Sequence, residues 1–225
     1  MKNTIIFDLD GTLVDSARIC TNILNSMLMD RGSDRQVTLE ETKPHLSRGG
    51  TAMVAALLGE YCKDEDAAIA DFRARYAELP TPQDSLFGGV RKGLEWLAAR
   101  DLHMAICSNK PQNLCDKVLS DLGLAGFFVV VVGTGHGRRP KPDPHLLDLT
   151  LMRLGVEASD CLFVGDSEVD EATAAHHDVP FLFLTHGYAA EEWNCGDAES
   201  FDHFLDLVAS LEGRIEGRRR LPRVA

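Results

Sequence analysis

Five short, unbroken apolar runs punctuate the chain: TIIF at 4–7, MAIC at 104–107, FVVVV at 128–132, CLFV at 161–164 and FLFL at 181–184. A strand with one wet face alternates apolar and polar residues; a strand covered on both faces does not. These runs therefore predict strands buried in the middle of a layered fold. Between them lie amphipathic stretches, GVRKGLEWLAAR at 89–100, NLCDKVLSDLG at 113–123, PHLLDLTLMRLG at 144–155 and EVDEATAAHH at 168–177. Two of these end in glycine, a common helix stop. Strands alternating with helices of this length predict an α/β core with a Rossmann-like, mostly parallel sheet.

The alternation breaks between residues 16 and 86. ARICTNILNSMLMD, TLEETKPHL, SRGGTAMVAALLGEY and DEDAAIADFRARYAEL all read as helices, with capping-box spacing at Thr38 and Glu41. Pro80 and Pro82 stop the last of them. A lone first strand needs its sheet, so the expected organisation is a core of 1–15 and 87–212 with a helical cap, 16–86, inserted into it. Five arginines fall within 214–225, and residues 213–225 are expected to be a basic, flexible tail.

Polar groups gather where the strands end. TIIF runs into Asp8 and Asp10, MAIC into Ser108, Asn109 and Lys110, CLFVG into Asp166 and Ser167 with Asp170 beyond, and Lys141 follows the valine run. Open parallel sheets bind ligands at this edge. Asp8 and Asp10 are two residues apart, so an extended backbone directs both to one side. Like charges that close call for a cation or a shared proton.

Formal charge is −12 over 225 residues, which argues against broad attraction to nucleic acid or to an anionic membrane. No run approaches the roughly 20 apolar residues of a membrane span. MKN leads straight into IIF without the apolar segment of a secretory signal, so a cytoplasmic location is expected. The six cysteines form no CxxC pair and are expected to stay reduced, with Cys107 and Cys161 in the core. GxGxxG and GxxxxGKS/T are both absent, which leaves nicotinamide chemistry and P-loop ATP hydrolysis without support.

The combination D8-L-D-G-T-L-V-D15, S108-N-K, K141-P and G165-D-S-E-V-D170 resembles the haloacid dehalogenase superfamily, and within it the phosphoglycolate phosphatase branch. The resemblance implies a hydrolase of a small phosphorylated metabolite, with Asp8 as nucleophile and Asp10 as general acid and base. It implies that Ser108 holds a phosphoryl oxygen and that Lys141 neutralises phosphate and nucleophile. Mg²⁺ would sit on Asp8, the main-chain carbonyl at Asp10 and Asp166, with Asp170 holding a metal-bound water. Thr12 is expected to contact phosphate or shape its loop, and Asn109 to orient the substrate or its loop.

Arg18 and Arg48 are the candidates for the substrate's distal group, and Lys110 reads as a solvated flank. Gly165 reads as room for close backbone approach beside the metal. His136, Arg138 and Arg139 make an unusual basic loop expected to bear on the leaving group. A sugar-phosphate phosphatase and a β-phosphoglucomutase-like enzyme stay open as alternatives, as does a non-catalytic interaction protein. The sequence leaves the oligomeric state undefined.

Overall fold

The computed structural model describes residues 3–47, 49–135 and 137–219. Six strands form one parallel sheet in the order β3-β2-β1-β4-β5-β6: β1 (Thr4–Phe7), β2 (His103–Pro111), β3 (Val130–Thr134), β4 (Cys161–Gly165), β5 (Phe181–Leu184) and β6 (Glu199–Phe201). β1 is central, with Phe7 beside Ile106 of β2 and Val164 of β4. The chain fills one half of the sheet from β1 outward to β3, then crosses back to fill the other. β1 is thus the switch point, where such sheets open a crevice at their carboxyl edge.

The unbroken apolar runs are explained by cover on both faces. Ile5 and Phe7 face one buried cluster, with Leu94 of α5 (Val90–Ala98) and Phe204 of α9 (Phe204–Arg219). Ile6 faces the other, with Cys107, Phe163 and Leu146 of α7 (His145–Leu154). α6 (Gln112–Asp121) joins the first cluster through Leu114, Val118 and Leu119, and α8 (Glu168–Ala175) joins the second through Ala174.

Four helices, α1 (Ala17–Asp30), α2 (Leu39–Leu46), α3 (Gly50–Leu58) and α4 (Glu65–Glu78), stand between β1 and α5. Thr38 and Glu41 form a reciprocal capping box at the start of α2, satisfying two backbone donors that the helix leaves open. The chain leaves for these helices and returns from them side by side: Asp15 N donates to Ser85 O (2.7 Å), Phe87 N to Leu13 O (3.1 Å), and Val14 bridges Leu86 antiparallel.

Three elements differ from the sequence reading. β2 runs on through Ser108, Asn109 and Lys110, with a shift in its pairing to β3 between Cys107 and Pro111. β6 is a short, largely exposed edge strand, Glu-Ser-Phe, whose order comes from pairing with β5 rather than from an apolar run. α9 continues to Arg219, so the backbone of residues 213–219, read from the sequence as part of a tail, is helical; residues 220–225 lie outside the described part. The described cysteines form no disulfide, and Cys107 and Cys161 are buried. No helix among the described residues is long and apolar enough to cross a membrane.

Candidate active site

Asp8 follows β1, its backbone N–H still donating to Val164 O at 2.9 Å. Lys141 comes up beneath it, with Nζ 3.0 Å from Asp8 Oδ1 and 2.5 Å from Asp170 Oδ1. Asn109 fixes the Lys141 backbone from both sides, its Oδ1 accepting from Lys141 N (2.7 Å) and its Nδ2 donating to Lys141 O (3.0 Å). The peptide between Lys141 and Pro142 is cis.

Asp166 and Asp170 are held as tightly. Thr12 Oγ1 donates to Asp166 Oδ1 (2.7 Å) and Tyr188 N to Asp166 Oδ2 (2.7 Å). Asp170 Oδ2 accepts from Asp166 N and Ser167 Oγ. Two glycines make the room. A Cβ on Gly187 would stand 2.2 Å from Asp166 Cβ, and one on Gly165 would stand 2.4 Å from Asp170 Cβ.

Asp8, Asp166 and Asp170 bring one oxygen each within 4.8 Å of one another. Burial pushes the Asp8 carboxyl up to about 6, against the pull of Lys141 and with the repulsion of Asp170. Burial likewise pushes Asp166 well above the usual carboxylate range, helped by Asp170 and Asp8. Burial works against the Lys141 ammonium, but Asp170 and Asp8 outweigh it and hold its pKa up. The cluster carries more negative than positive charge. Asp8 Oδ1 is buried and finds no aligned hydrogen-bond donor among the described residues. Such a set of fixed, crowded oxygens is a fitting seat for a small, hard divalent cation.

Above this floor is a cavity of about 780 Å³, the open space at its mouth included. Asp8, Ser108 and Lys141 line its base, and α1 to α4 roof it with Cys20, Leu46, Met53 and Tyr76 among others. Lys110 projects into it from β2 and is buried, with Nζ 3.0 and 2.9 Å from the two oxygens of Asp10. Burial opposes the Lys110 charge, yet Asp10 holds its pKa well above the ordinary value.

The haloacid dehalogenase-like hydrolase family matches residues 5–184 of the chain. The protein belongs to this family. Similar proteins include the phosphoglycolate phosphatase of Rhodospirillum rubrum, 37% identical over 219 residues (92% of this chain and 90% of that one). Another is the phosphoglycolate phosphatase of Xanthomonas campestris, 34% identical over 185 residues (82% and 83%). Among solved structures, a predicted phosphoglycolate phosphatase from Haemophilus somnus superposes with a TM-score of 0.81 at 24% identity (93% and 97% covered), a likeness of fold. Family and acidic cluster together make this haloacid dehalogenase-like protein a hydrolase of the phosphatase type.

In this hydrolase Asp8, Asp10, Ser108, Asn109, Lys141, Asp166 and Asp170 all line the one cavity. Thr12 is not among the residues that line it; its hydroxyl donates to Asp166 Oδ1. Arg18 is also elsewhere. Its guanidinium pairs with Asp84 at 2.5 Å, both side chains more than half exposed, beside the paired crossings. Arg48 and His136 lie outside the described residues. Arg138 donates to Gln112 Oε1 and Gly133 O, and Arg139 pairs with Asp143; neither lines the cavity.

Lys110 is the largest departure. Read from the sequence as a solvated flank, it is instead a buried cation on Asp10. The signal was present, since Lys110 stands two residues after Ser108, as Asp10 does after Asp8, and an extended chain keeps such pairs on one side. Tyr188 left no comparable trace. Its backbone serves Asp166 while its hydroxyl donates to Asp15 at 2.7 Å, a contact set by residues 173 apart.

Proposed function

We propose that the protein is a Mg²⁺-dependent phosphomonoesterase that works through a phosphorylated Asp8, with 2-phosphoglycolate as its first candidate substrate. One observation carries the reading. Asp8 offers a buried oxygen that faces the Lys141 ammonium at 3.0 Å, at the base of a cavity that also receives Asp10, Ser108 and Lys141. The phosphoglycolate phosphatases at 34–37% identity support the choice of substrate.

In this reading Asp8 attacks phosphorus and the ester oxygen leaves, while Asp10 donates a proton to that oxygen. Asp10 then takes a proton from the water that attacks the aspartyl phosphate, returning Asp8 to its carboxylate form. Lys141 and the Ser108 hydroxyl stabilise charge on the phosphoryl oxygens as they pass between the two partners. Asp8, the Asp10 main-chain carbonyl and Asp166 would hold Mg²⁺, with Asp170 bonded so fully that a water-mediated role suits it. The cation, when bound, lowers the repulsion between an anionic nucleophile and an anionic ester.

A panel of phosphate esters tests this, with inorganic phosphate and isomerised product measured separately. Mg²⁺-dependent phosphate release is expected, fastest from 2-phosphoglycolate. Isomer formation without net phosphate release would move the protein to the mutases.

The metal seat has its own test. Gly187→Ala places a methyl against the Asp166 carboxylate, and displacing a fixed ligand typically weakens metal binding about 10–100-fold. A Mg²⁺ titration followed by the rise in unfolding temperature should shift to higher concentration by that factor. An unshifted titration would mean that Asp166 is no ligand.

A further inference from the structure

The acidic floor and the attachment of the helices above it meet on one loop. Residues 185–188 follow β5, and Thr185 pins their start to β6, its N–H donating to Phe201 O at 3.0 Å. Beyond it, His186, Gly187 and Tyr188 each reach another part of the chain. His186 Nε2 stands 3.2 Å from Thr12 O, and its ring lies over Phe87 with centroids 4.0 Å apart. It therefore grips both the outgoing and the returning chain. Gly187 lies against the Asp166 carboxylate, where a Cβ would find no room.

Tyr188 joins the two places. Its backbone N–H donates to Asp166 Oδ2 and its hydroxyl to Asp15 Oδ1, both at 2.7 Å. The same hydroxyl accepts from Ala17 N at 3.1 Å, and the residue is buried. Ala17 opens α1, and the first N–H groups of a helix have no partner within it. Ser16, in the capping position, makes no side-chain bond to the helix. α1 is instead capped from residue 188, with the Asp15 carboxylate sharing the Ala17 N–H at 3.1 Å. The start of the first roofing helix thus depends on a side chain whose own backbone holds Asp166.

Asp166 is clamped twice from this region. Its Oδ1 accepts from Thr12 Oγ1 and its Oδ2 from Tyr188 N, and both donors belong to segments that grip the crossing. Close-packed groups transmit strain rather than absorb it, and Gly187 leaves no slack between loop and carboxylate. A shift of Asp15 or Ala17 therefore moves the donors of Asp166, and a fixed Asp166 holds Asp15 and Ala17 in place.

We propose that Tyr188 is a positioning residue that couples the Asp166 carboxylate to the first turn of α1, so that a cation on Asp166 and order at the start of α1 stabilise each other. This rests on the metal seat of the phosphatase reading and adds a connection from that seat to the helices over it. The coupling is reciprocal, as linkage requires. It needs no substrate, since every bond in it lies within the chain.

The full chain with Mg²⁺ alone tests it. In the wild type, saturating Mg²⁺ should slow hydrogen exchange at the Ala17 amide, followed by NMR, about fivefold or more. Tyr188→Phe keeps the ring and the N–H that serves Asp166 but removes both hydroxyl bonds. It should abolish that slowing and raise the Mg²⁺ midpoint, read from the rise in unfolding temperature, by about fivefold. Asp15→Asn should bind Mg²⁺ several-fold more tightly than Asp15→Ala. Both lack the charge, but only asparagine still accepts from Tyr188 and Ala17, so the difference reads the hydrogen bonds. A wild-type midpoint in Tyr188→Phe, equal midpoints in the two Asp15 variants, or a wild-type Ala17 amide that ignores bound Mg²⁺ would each overturn the coupling. A wild type that binds no Mg²⁺ would remove the metal reading itself, and the coupling with it.

Discussion

Asp8→Asn should release phosphate on the order of 10⁴-fold more slowly than the wild type, or worse, and still fold. The amide replaces the attacking oxygens with a group that forms no stable acyl phosphate, so the two-step route is closed rather than slowed. Folding is spared for a reason visible at the site. Burial already pushes the Asp8 carboxyl up to about 6, so the surroundings tolerate a neutral group there, and asparagine has the same shape. Lys141 keeps Asp170 as a partner. Phosphate release measured beside a thermal melt distinguishes a silent enzyme from a damaged one. Turnover within tenfold of wild type, or labelled phosphate captured on another residue, would remove Asp8 from the nucleophile role.

Lys141→Met should cost both activity and stability. Its ammonium is almost wholly buried between Asp8 and Asp170, and removing one partner of a buried ion pair typically costs about 3–5 kcal/mol, because the charge left behind has neither water nor counter-ion. For a chain of this size that is a fall of roughly 6–20 °C in unfolding temperature. The sign of its pH dependence follows from Asp8. Lys141 lowers the Asp8 pKa, so the variant's Asp8 takes up a proton at a higher pH than the wild type's. The deficit in the metal-free protein is therefore largest at high pH, shrinks as the pH falls from the variant's raised Asp8 pKa toward about 6, where the wild-type Asp8 also becomes neutral, and levels off below that. Melts across pH 5–8 measure it. A deficit that is small, or flat across that range, would contradict the buried-pair account.

The strands and the acidic residues at their ends were legible in the sequence because burial on both faces and the carboxyl-edge rule act on short stretches. TIIF, MAIC and CLFV could be read without knowing what covered them. Side-chain fates decided across the fold could not. Thr12 bonds Asp166, 154 residues away, and Arg18 bonds Asp84, 66 residues away; neither partner leaves a mark beside the residue. β6 escaped for the opposite reason, since an edge strand of three largely exposed residues has no apolar signature to give. Lys110 is the instructive miss. The strand period that placed Asp8 with Asp10 applied equally to Ser108 and Lys110, but the expectation of a β2 ending at Cys107 stopped the strand three residues before Lys110.

The outgoing and returning chains meet at a single seam, where Leu13, Val14 and Asp15 pair with Phe87, Leu86 and Ser85. The four helices are tied to the core at this seam and again where Lys117 meets Leu79 O and Thr81 meets Asp121, while Asp8, Asp10, Ser108, Lys141, Asp166 and Asp170 line the cavity beneath them. This separates two kinds of heredity within one gene. In the proposed reading, changes at the roofing side chains Leu46, Met53 and Tyr76 would act on which alcohol is welcomed, and changes at Asp8, Asp10, Ser108 and Lys141 on how phosphorus is handled.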